Sequence, residues 1–261
     1  MINLRSENSK KSFRAFYLKQ SENLSFTSEA VEAFWSKVAL QSYEAANTTL
    51  TYAHRQRFDI SIPMITLLSS GKLMNLWSRQ GEAIPYIRRR FPGVELVNAE
   101  ISTVMLKQSK ERFSEETFVK TDLQTICYPD NYFDCILSLE MLEHSPRPQK
   151  ILQEMFRVLK PGGHLILTCP SALSEIHLWV ADHFLNNHGE GPHRFPSILH
   201  VKKMLKNAGF TPIDHRATLF LPIESGTINK LNGFFERIFQ WFPVNELGIR
   251  QIYEARIPQK R

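Results

Sequence analysis

From Gly71 to Pro170 the chain alternates between short apolar runs and longer stretches in which apolar residues recur at helical spacing. The short runs predict β-strands, and the stretches between them predict amphipathic helices. The strands are predicted at 72–77, 94–99, 117–120, 133–139 and 164–169. The helices between them are predicted at 82–91, 102–112 and 148–160. Strands that alternate with helices of this length are typical of βαβ units, so we expect an α/β, Rossmann-like, doubly wound sheet that is mostly parallel.

The segments on either side of this region are less regular. Residues 1–27 are polar and basic and predict a flexible arm, which is followed by helices predicted at 28–45 and 54–68. After Pro170, residues 171–196 predict a lid or an insertion. The remaining elements are predicted as a helix at 197–207, a strand at 218–221, an aromatic-rich amphipathic helix at 227–242 and a strand at 249–257. We therefore expect a single domain over residues 28–261, behind the arm.

Composition narrows the class of protein. Apolar residues make up 43% and charged residues 22% of the 261, as in a folded globular domain. The net charge of +6 is concentrated at the two ends of the chain, and residues 21–249 carry −1. The body therefore lacks the basic patch of a nucleic-acid-binding domain, and we expect no nucleic-acid partner. No apolar run approaches the roughly 18 residues of a membrane span, and the polar beginning of the sequence does not resemble a secretory signal.

The three cysteines add little chemistry. Their number is odd and they form no C-x-x-C pair, so neither a disulfide framework nor a zinc site is predicted. A reducing, cytoplasmic location is the expectation, with peripheral contact to a membrane as a further possibility.

Open parallel sheets bind their ligands at the carboxyl ends of the strands, so the chemistry is expected there. Two acidic side chains occupy such positions: Glu100 follows the second predicted strand and Asp122 follows the third. A carboxylate at Glu100 suits the vicinal hydroxyls of a ribose, and Asp122 could accept from an exocyclic amine. Taken alone, each acid is more often a solvated residue near a helix N-terminus.

A more specific pattern lies in three stretches, which read VELVNAEISTVMLKQSKERF, FVKTDLQTICYPDNYFDCILSLEMLEH and ILQEMFRVLKPGGHLILTCPS. Residues 94–170, which contain them, resemble the class I S-adenosylmethionine-dependent methyltransferases, in particular the methyltransferase type 11 family. The resemblance implies a seven-stranded sheet with a reversed final hairpin, an N-terminal helical cap and S-adenosylmethionine as the cofactor. The reaction it implies is in-line displacement at a methyl group carried by sulfonium, in which the site mainly orients the nucleophile.

The resemblance also implies roles for residues at the strand ends. Glu100 and Ile101 would hold the ribose, Asp122 and Leu123 would bracket the adenine, and Leu139 with Glu140 would line the methionyl side. In the family, the turn after the first strand is glycine-rich, on the pattern D-x-G-x-G-x-G, and also contacts the cofactor. Here the cofactor-binding residues of that turn would be Asn75, Arg79 and Gly81.

The turn departs from the family pattern, because residues 75–81 read NLWSRQG and keep only the last glycine. Asn75 retains hydrogen-bonding capacity without the charge. Glycine suits such a turn because it adopts a positive φ and lets the backbone approach a ligand closely. Trp77 either turns away under a neighbouring helix or fills the cofactor cleft. Arg79 either pairs with the carboxylate of the cofactor or repels its cationic groups.

Two histidines are candidates for a catalytic base, which is needed when the methyl acceptor starts protonated. His144 ends the E-x-LEH run, and His193 lies in a GPHRF stretch that resembles the substrate-facing loop of related enzymes. For both, the alternative is a loop histidine bonded to backbone. The spacing of His177, His183, His188 and His193 does not match a compact ligand pair, so no metal site is predicted.

The aromatic-rich helix at 227–242 has a broad apolar face. This face predicts either packing onto the domain or an interfacial, lipid-facing helix. Lys230, Arg237 and Arg250 are the cations available for a weak contact with an anionic membrane surface.

Taken together, the sequence predicts an S-adenosylmethionine-dependent methyltransferase that acts on a small-molecule, sugar or lipid-linked acceptor. The alternative is a non-catalytic, methyltransferase-like binding or scaffold protein that has lost cofactor binding through Trp77 and Arg79. A nucleotide-binding dehydrogenase is disfavoured, because no G-x-G-x-x-G follows the first strand.

Overall fold

The computed structural model describes residues 26–40, 51–68, 70–184, 191–221 and 225–259. Its centre is a seven-stranded sheet in the order β3-β2-β1-β4-β5-β7-β6. The strands are β1 Lys72–Leu76, β2 Glu95–Glu100, β3 Thr117–Lys120, β4 Phe133–Leu139, β5 Leu159–Pro170, β6 Thr211–Thr218 and β7 Arg250–Arg256. β1 to β5 pair in parallel, whereas β7 runs antiparallel to both β5 and β6. The mostly parallel sheet with a reversed final hairpin is confirmed.

Helices cover both faces of this sheet. They are α1 Ser28–Leu40, α2 Thr51–Ser61, α3 Ile84–Arg90, α4 Thr103–Arg112, α5 Pro148–Val158, α6 Ser174–Phe184, α7 Ile198–Asn207 and α8 Gly226–Ile238. One hydrophobic cluster joins the sheet to α1, α5 and α7, and a second joins the other face to α2 and α3. The expected α/β class with helices on both sides is therefore confirmed. None of the helices in the described part of the chain is long and apolar enough to cross a membrane.

The predicted strand at 218–221 is wrong, because the strand is β6, Thr211–Thr218. β6 is an edge strand, and three of its eight residues are exposed, so its sequence TPIDHRAT shows no continuous apolar run. The apolar residues after it lie beyond the strand, where Leu219 has a left-handed φ of 58°. Another boundary also differs, since α5 ends at Val158 and β5 begins at Leu159, inside the predicted helix.

The helix α1 lies across the carboxyl ends of β2 and β3. Glu32 pairs with Lys120 at the end of β3 at 2.6 Å, and the Ser36 hydroxyl lies 2.8 Å from the hydroxyl of Ser102, which caps α4. Trp35, only 1% exposed, points from α1 into the core. The N-terminal helical cap is therefore present on the edge of the sheet where the site was expected. The arm at residues 1–25 lies outside the described residues, as does His188.

Candidate functional site at the carboxyl edge of the sheet

The turn after β1 has the backbone conformation of a glycine-rich turn without the glycines. Trp77, Arg79 and Gly81 stand at the three positions that are glycine in the family pattern, and their φ angles are 69°, 50° and 83°. All three angles are left-handed, a conformation that costs a residue with a Cβ about 1–2 kcal/mol. The backbone N–H groups of Trp77 and Ser78 donate to the carbonyl oxygen of Ala99 at 2.8 and 3.0 Å, which fixes the turn to the end of β2.

The side chain of Trp77 fills the space above this turn. It is 4% exposed and stacks on the ring of His144, with the centroids 5.3 Å apart and the planes at 5°. Trp35 of α1 meets it edge-on at 6.1 Å. The indole therefore occupies the interior between the cap and the strand ends and is not turned outward.

The side chain of Arg79 also lies in the interior between α1 and the strand ends. Its guanidinium lies 4.3 Å from the centre of the Trp35 ring, a cation–π contact, and one of its nitrogens donates to the backbone oxygen of Glu140 at 3.5 Å. The residue is 5% exposed. Both large replacements in the turn are thus directed inward and packed on aromatic rings.

Glu100, at the end of β2, is almost completely buried, with 1% exposed. Its carboxylate accepts hydrogen bonds from the backbone N–H groups of Arg79 and Ser102, at 2.6 and 2.8 Å. Burial raises the pKa of Glu100 to about 7, against the opposing effect of these two bonds. In this conformation the carboxylate holds the turn and the start of α4 in place, and a ribose cannot reach it.

The other residues predicted at the strand ends are three buried apolar residues and one exposed acid. Ile101, Leu123 and Leu139 are buried apolar residues at the ends of β2, β3 and β4. Asp122 is exposed, and its Oδ1 accepts from the backbone N–H groups of Gln124 and Thr125 at 2.5 and 2.6 Å. Because β2 and β3 are adjacent, Glu100 and Asp122 lie at neighbouring strand ends of one edge, as predicted.

Asn75 and Gly81, the remaining predicted residues of the turn, have local roles. The Asn75 amide donates to the Asn98 side chain on the adjacent strand at 2.9 Å, so it is directed sideways within the sheet. Gly81 is the glycine that the packing requires, because a Cβ there would approach the Phe113 ring to 2.8 Å.

Glu140, the first residue after β4, is held between two buried arginines. Arg57 of α2 donates to its Oε2 at 2.8 Å, and Arg250 of β7 contacts its Oε1 at 2.7 and 2.8 Å. Burial alone would raise the pKa of Glu140, but Arg250 and Arg57 outweigh it and hold the pKa well below its usual range. The side chain of Glu140 is committed to these ion pairs, and its backbone has a left-handed φ of 53°.

The two candidate bases lie next to each other, with ring centroids 6.3 Å apart. His144 is fully buried, and its Nδ1 donates to the carbonyl oxygen of Pro192 at 2.9 Å, so the basic nitrogen is Nε2. Burial lowers the pKa of His144 to about 3, which makes it neutral at physiological pH. His193 bonds Gly191 O at 2.8 Å through Nδ1, and its Nε2 lies 3.4 Å from Glu175 Oε1 on α6.

In the described part of the chain, the cavity beside the turn is far smaller than a cofactor. A cavity lined by Asn75, Trp77, Arg79 and Leu139, among others, has a volume of about 10 Å³, room for at most one water molecule. Ligand pockets of cofactor size are on the order of 300 Å³ or more. In this conformation the residues present do not fit S-adenosylmethionine, since Trp77 and Arg79 take its place and Glu100 is covered.

Three residues of the site were not among those predicted from the sequence: Trp35, Arg57 and Arg250. The helical spacing around Trp35 predicted a core position, but nothing in the sequence placed it against Trp77. Arg57 and Arg250 lie far apart in the chain, and only the fold brings them to Glu140. Arg250, predicted to be a surface cation near the aromatic helix, is buried with 6% exposed, so that prediction is wrong.

Comparison with known proteins finds a family match for the central region. Residues 78–167 match the methyltransferase domain family of type 11. The ubiquinone/menaquinone biosynthesis C-methyltransferase UbiE of Yersinia enterocolitica is 37% identical over 79 residues, which is 28% of this chain and 32% of the relative. UbiE of Yersinia pestis strain Pestoides F is 35% identical over 79 residues, with the same coverage. The matches thus span about a third of the length of these curated relatives.

Solved structures extend the likeness to most of the chain at the level of the fold. The [4+2]-cyclase SpnF superposes with a TM-score of 0.65 at 18% identity and covers 90% of this chain and 97% of its own. An S-adenosylmethionine-dependent methyltransferase from Mesorhizobium loti gives a TM-score of 0.55 at 14% identity and covers 76% and 99%. Residues 78–167 therefore match the methyltransferase type 11 family, and the chain that contains them has the class I methyltransferase fold.

Proposed function

We propose that this protein is an S-adenosylmethionine-dependent methyltransferase whose cofactor cleft is closed by Trp77 and opens when the indole leaves. The observation that carries the proposal is the backbone of the turn. Trp77, Arg79 and Gly81 all keep a left-handed φ, although only one of them is a glycine. Strained backbone conformations cluster at ligand-binding sites, and here bonds to Ala99 and Glu100 hold the turn in such a conformation. The retained backbone, with Glu100 beneath it, supports a site that still receives the cofactor.

Closure by Trp77 predicts weak apparent affinity. A ligand that binds only the open state has its affinity reduced by the fraction of molecules that are open. Opening must break the stacking of Trp77 on His144 and the edge contact with Trp35. Aromatic contacts of this kind contribute about 0.5–1.5 kcal/mol each beyond their buried area, so closed molecules predominate without ligand.

The acceptor that we propose is a small molecule or a lipid-linked compound. The sequence leaves small-molecule, sugar and lipid-linked acceptors open, and the names of the UbiE relatives refer to quinones, which favours a lipid-soluble acceptor. His144 and His193 are the proposed bases. Because Trp77 covers His144, its Nε2 becomes available only in the open state.

Calorimetric titration with S-adenosylmethionine and S-adenosylhomocysteine tests the proposal. We expect weak binding to the wild type and tighter binding to the double variant Trp77→Gly, Arg79→Gly. Adding Glu100→Gln to the double variant should weaken binding by about 1–3 kcal/mol, the contribution of a hydrogen bond to a charged group. If neither the wild type nor a folded double variant binds either ligand, the non-catalytic alternative replaces the proposal.

A further inference from the structure

The helix α8 attaches to the rest of the protein through polar side chains. The side-chain amide of Asn232 bonds both the backbone N–H and the C=O of Leu221, at 2.8 and 2.9 Å. The side-chain amide of Gln240 does the same with Ala217, at 2.9 and 3.0 Å. Glu236 accepts from a third N–H in 217–221 at 2.9 Å. Asn232 and Glu236, spaced four apart, lie along one side of α8, and Gln240 follows just beyond its end. This side of α8 therefore binds the backbone at the end of the edge strand β6.

The opposite side of α8 is apolar and faces solvent. A surface helix ordinarily turns its apolar side inward, whereas α8 and the segment after it turn an apolar side outward. We refer to the exposed residues on this side as the aromatic patch. Its members and their exposed fractions are Leu231 42%, Phe234 56%, Ile238 42%, Trp241 59%, Phe242 53% and Leu247 51%. The other two phenylalanines of the segment, Phe235 and Phe239, pack inward against Phe220.

Within residues 226–249, the charges exposed beside the aromatic patch are of one sign. Lys230 and Arg237 are exposed beside it. The two acids of the same segment are directed inward, since Glu236 bonds Gln56 at 2.7 Å and Glu246 accepts from the backbone N–H of Ile198 at 2.8 Å. From residue 226 to residue 249, the outward-facing charges are therefore positive.

We propose that the aromatic patch binds the surface of an anionic lipid bilayer. Phe and Trp side chains favour the boundary between headgroups and acyl chains, and flanking cations add attraction to anionic lipids. Lys230 and Arg237 beside the apolar side chains favour an anionic lipid surface over an uncharged partner. The proposal is independent of cofactor binding, because the six patch residues are other than those of the candidate cofactor site.

Sedimentation with vesicles tests the proposal on the full-length protein. We expect the wild type to bind vesicles of phosphatidylcholine mixed with phosphatidylglycerol and to bind pure phosphatidylcholine much less. Replacing Phe234 and Trp241 together by serine should reduce binding at least tenfold. Lys230→Gln and Arg237→Gln should each weaken binding to the anionic vesicles by about fivefold, with the loss suppressed by salt.

A matched control replaces two apolar residues with similar exposure elsewhere, Leu199 at 58% and Ile213 at 50%, by serine. This control should bind anionic vesicles as the wild type does. Equal sedimentation of the wild type and the Phe234, Trp241 variant would overturn the proposal. So would concentration-dependent dimerisation in ultracentrifugation that the same variant abolishes, without vesicle binding, because the patch would then be a contact between two copies of the chain.

Discussion

The carboxyl edge of the sheet has two halves, at the ends of β2 and β4, which hold their carboxylates in different ways. At the end of β2, Glu100 is held by two backbone N–H groups and has a pKa raised by burial to about 7. At the end of β4, Glu140 is held by two arginine side chains and has a pKa well below its usual range. Trp77 lies between these two regions.

The two carboxylates therefore differ in what holds them, which is backbone groups at the end of β2 and side chains at the end of β4. In the β2 half, the hydrogen bonds to Glu100 come from backbone N–H groups, which are present whatever the side chain. These bonds therefore form although Trp77 and Arg79 stand where the family pattern has glycine. The β4 half relies on partners from α2 and β7. Its carboxylate is therefore part of an internal ion-pair network that links three elements.

The largest effect on stability is expected when the carboxylate of the β4 half is removed. Glu140→Ala leaves Arg57 and Arg250 buried without their shared partner, and breaking a buried ion pair from one side costs about 3–5 kcal/mol. We expect a loss of this size in the free energy of unfolding, measured by urea denaturation. Asp214→Ala is the control, because its pair with Arg216 is largely exposed and contributes at most about 1 kcal/mol. Similar losses in both variants would contradict a buried network at Glu140.

The raised pKa of Glu100, in the β2 half, is tested by the pH dependence of stability. An acid whose folded pKa is raised binds more protons in the folded state, so the protein loses stability as pH rises from the unfolded pKa near 4.5 to about 7. A rise of this size corresponds to roughly 3 kcal/mol. Glu100→Gln should remove this part of the pH dependence, measured as the change in unfolding free energy between about pH 5 and about pH 7.5. An unchanged slope in the variant would show that Glu100 does not titrate in this range.

The smallest effect is expected from the left-handed backbone at Trp77, compared with the helical backbone at Trp35. Both Trp77→Ala and Trp77→Gly lose the buried indole, but at a φ of 69° glycine avoids a penalty that alanine bears. We expect the glycine variant to be more stable by about 1 kcal/mol in thermal or urea unfolding. Trp35, inside the helix α1, is the matched control, because there glycine should be less stable than alanine by about 1 kcal/mol. The same order at both positions would remove the evidence for a strained turn.

Much of the fold was predictable because its signals are local. The apolar runs of β1 to β5 and the capped helices between them follow rules that act over a few residues. The edge strand β6 was missed because its outward-facing residues are polar. For Trp77 the sequence left two orientations open, since the choice depends on Trp35 and His144, which only the fold brings together. The pairing of Glu140 with Arg57 and Arg250 was missed for the same reason.

The most direct test of the account follows Trp77 itself while the cofactor product is added. Fluorine NMR of protein labelled with 5-fluorotryptophan resolves Trp35, Trp77, Trp179 and Trp241, each assigned by its replacement with phenylalanine. Saturation with S-adenosylhomocysteine should shift the Trp77 resonance and make it sensitive to exchange of H2O for D2O, as expected for a ring that enters solvent. The Trp241 resonance, already exposed at the aromatic patch, should stay unchanged. Saturating ligand that leaves the Trp77 resonance buried and unshifted would contradict closure of the cleft by this side chain.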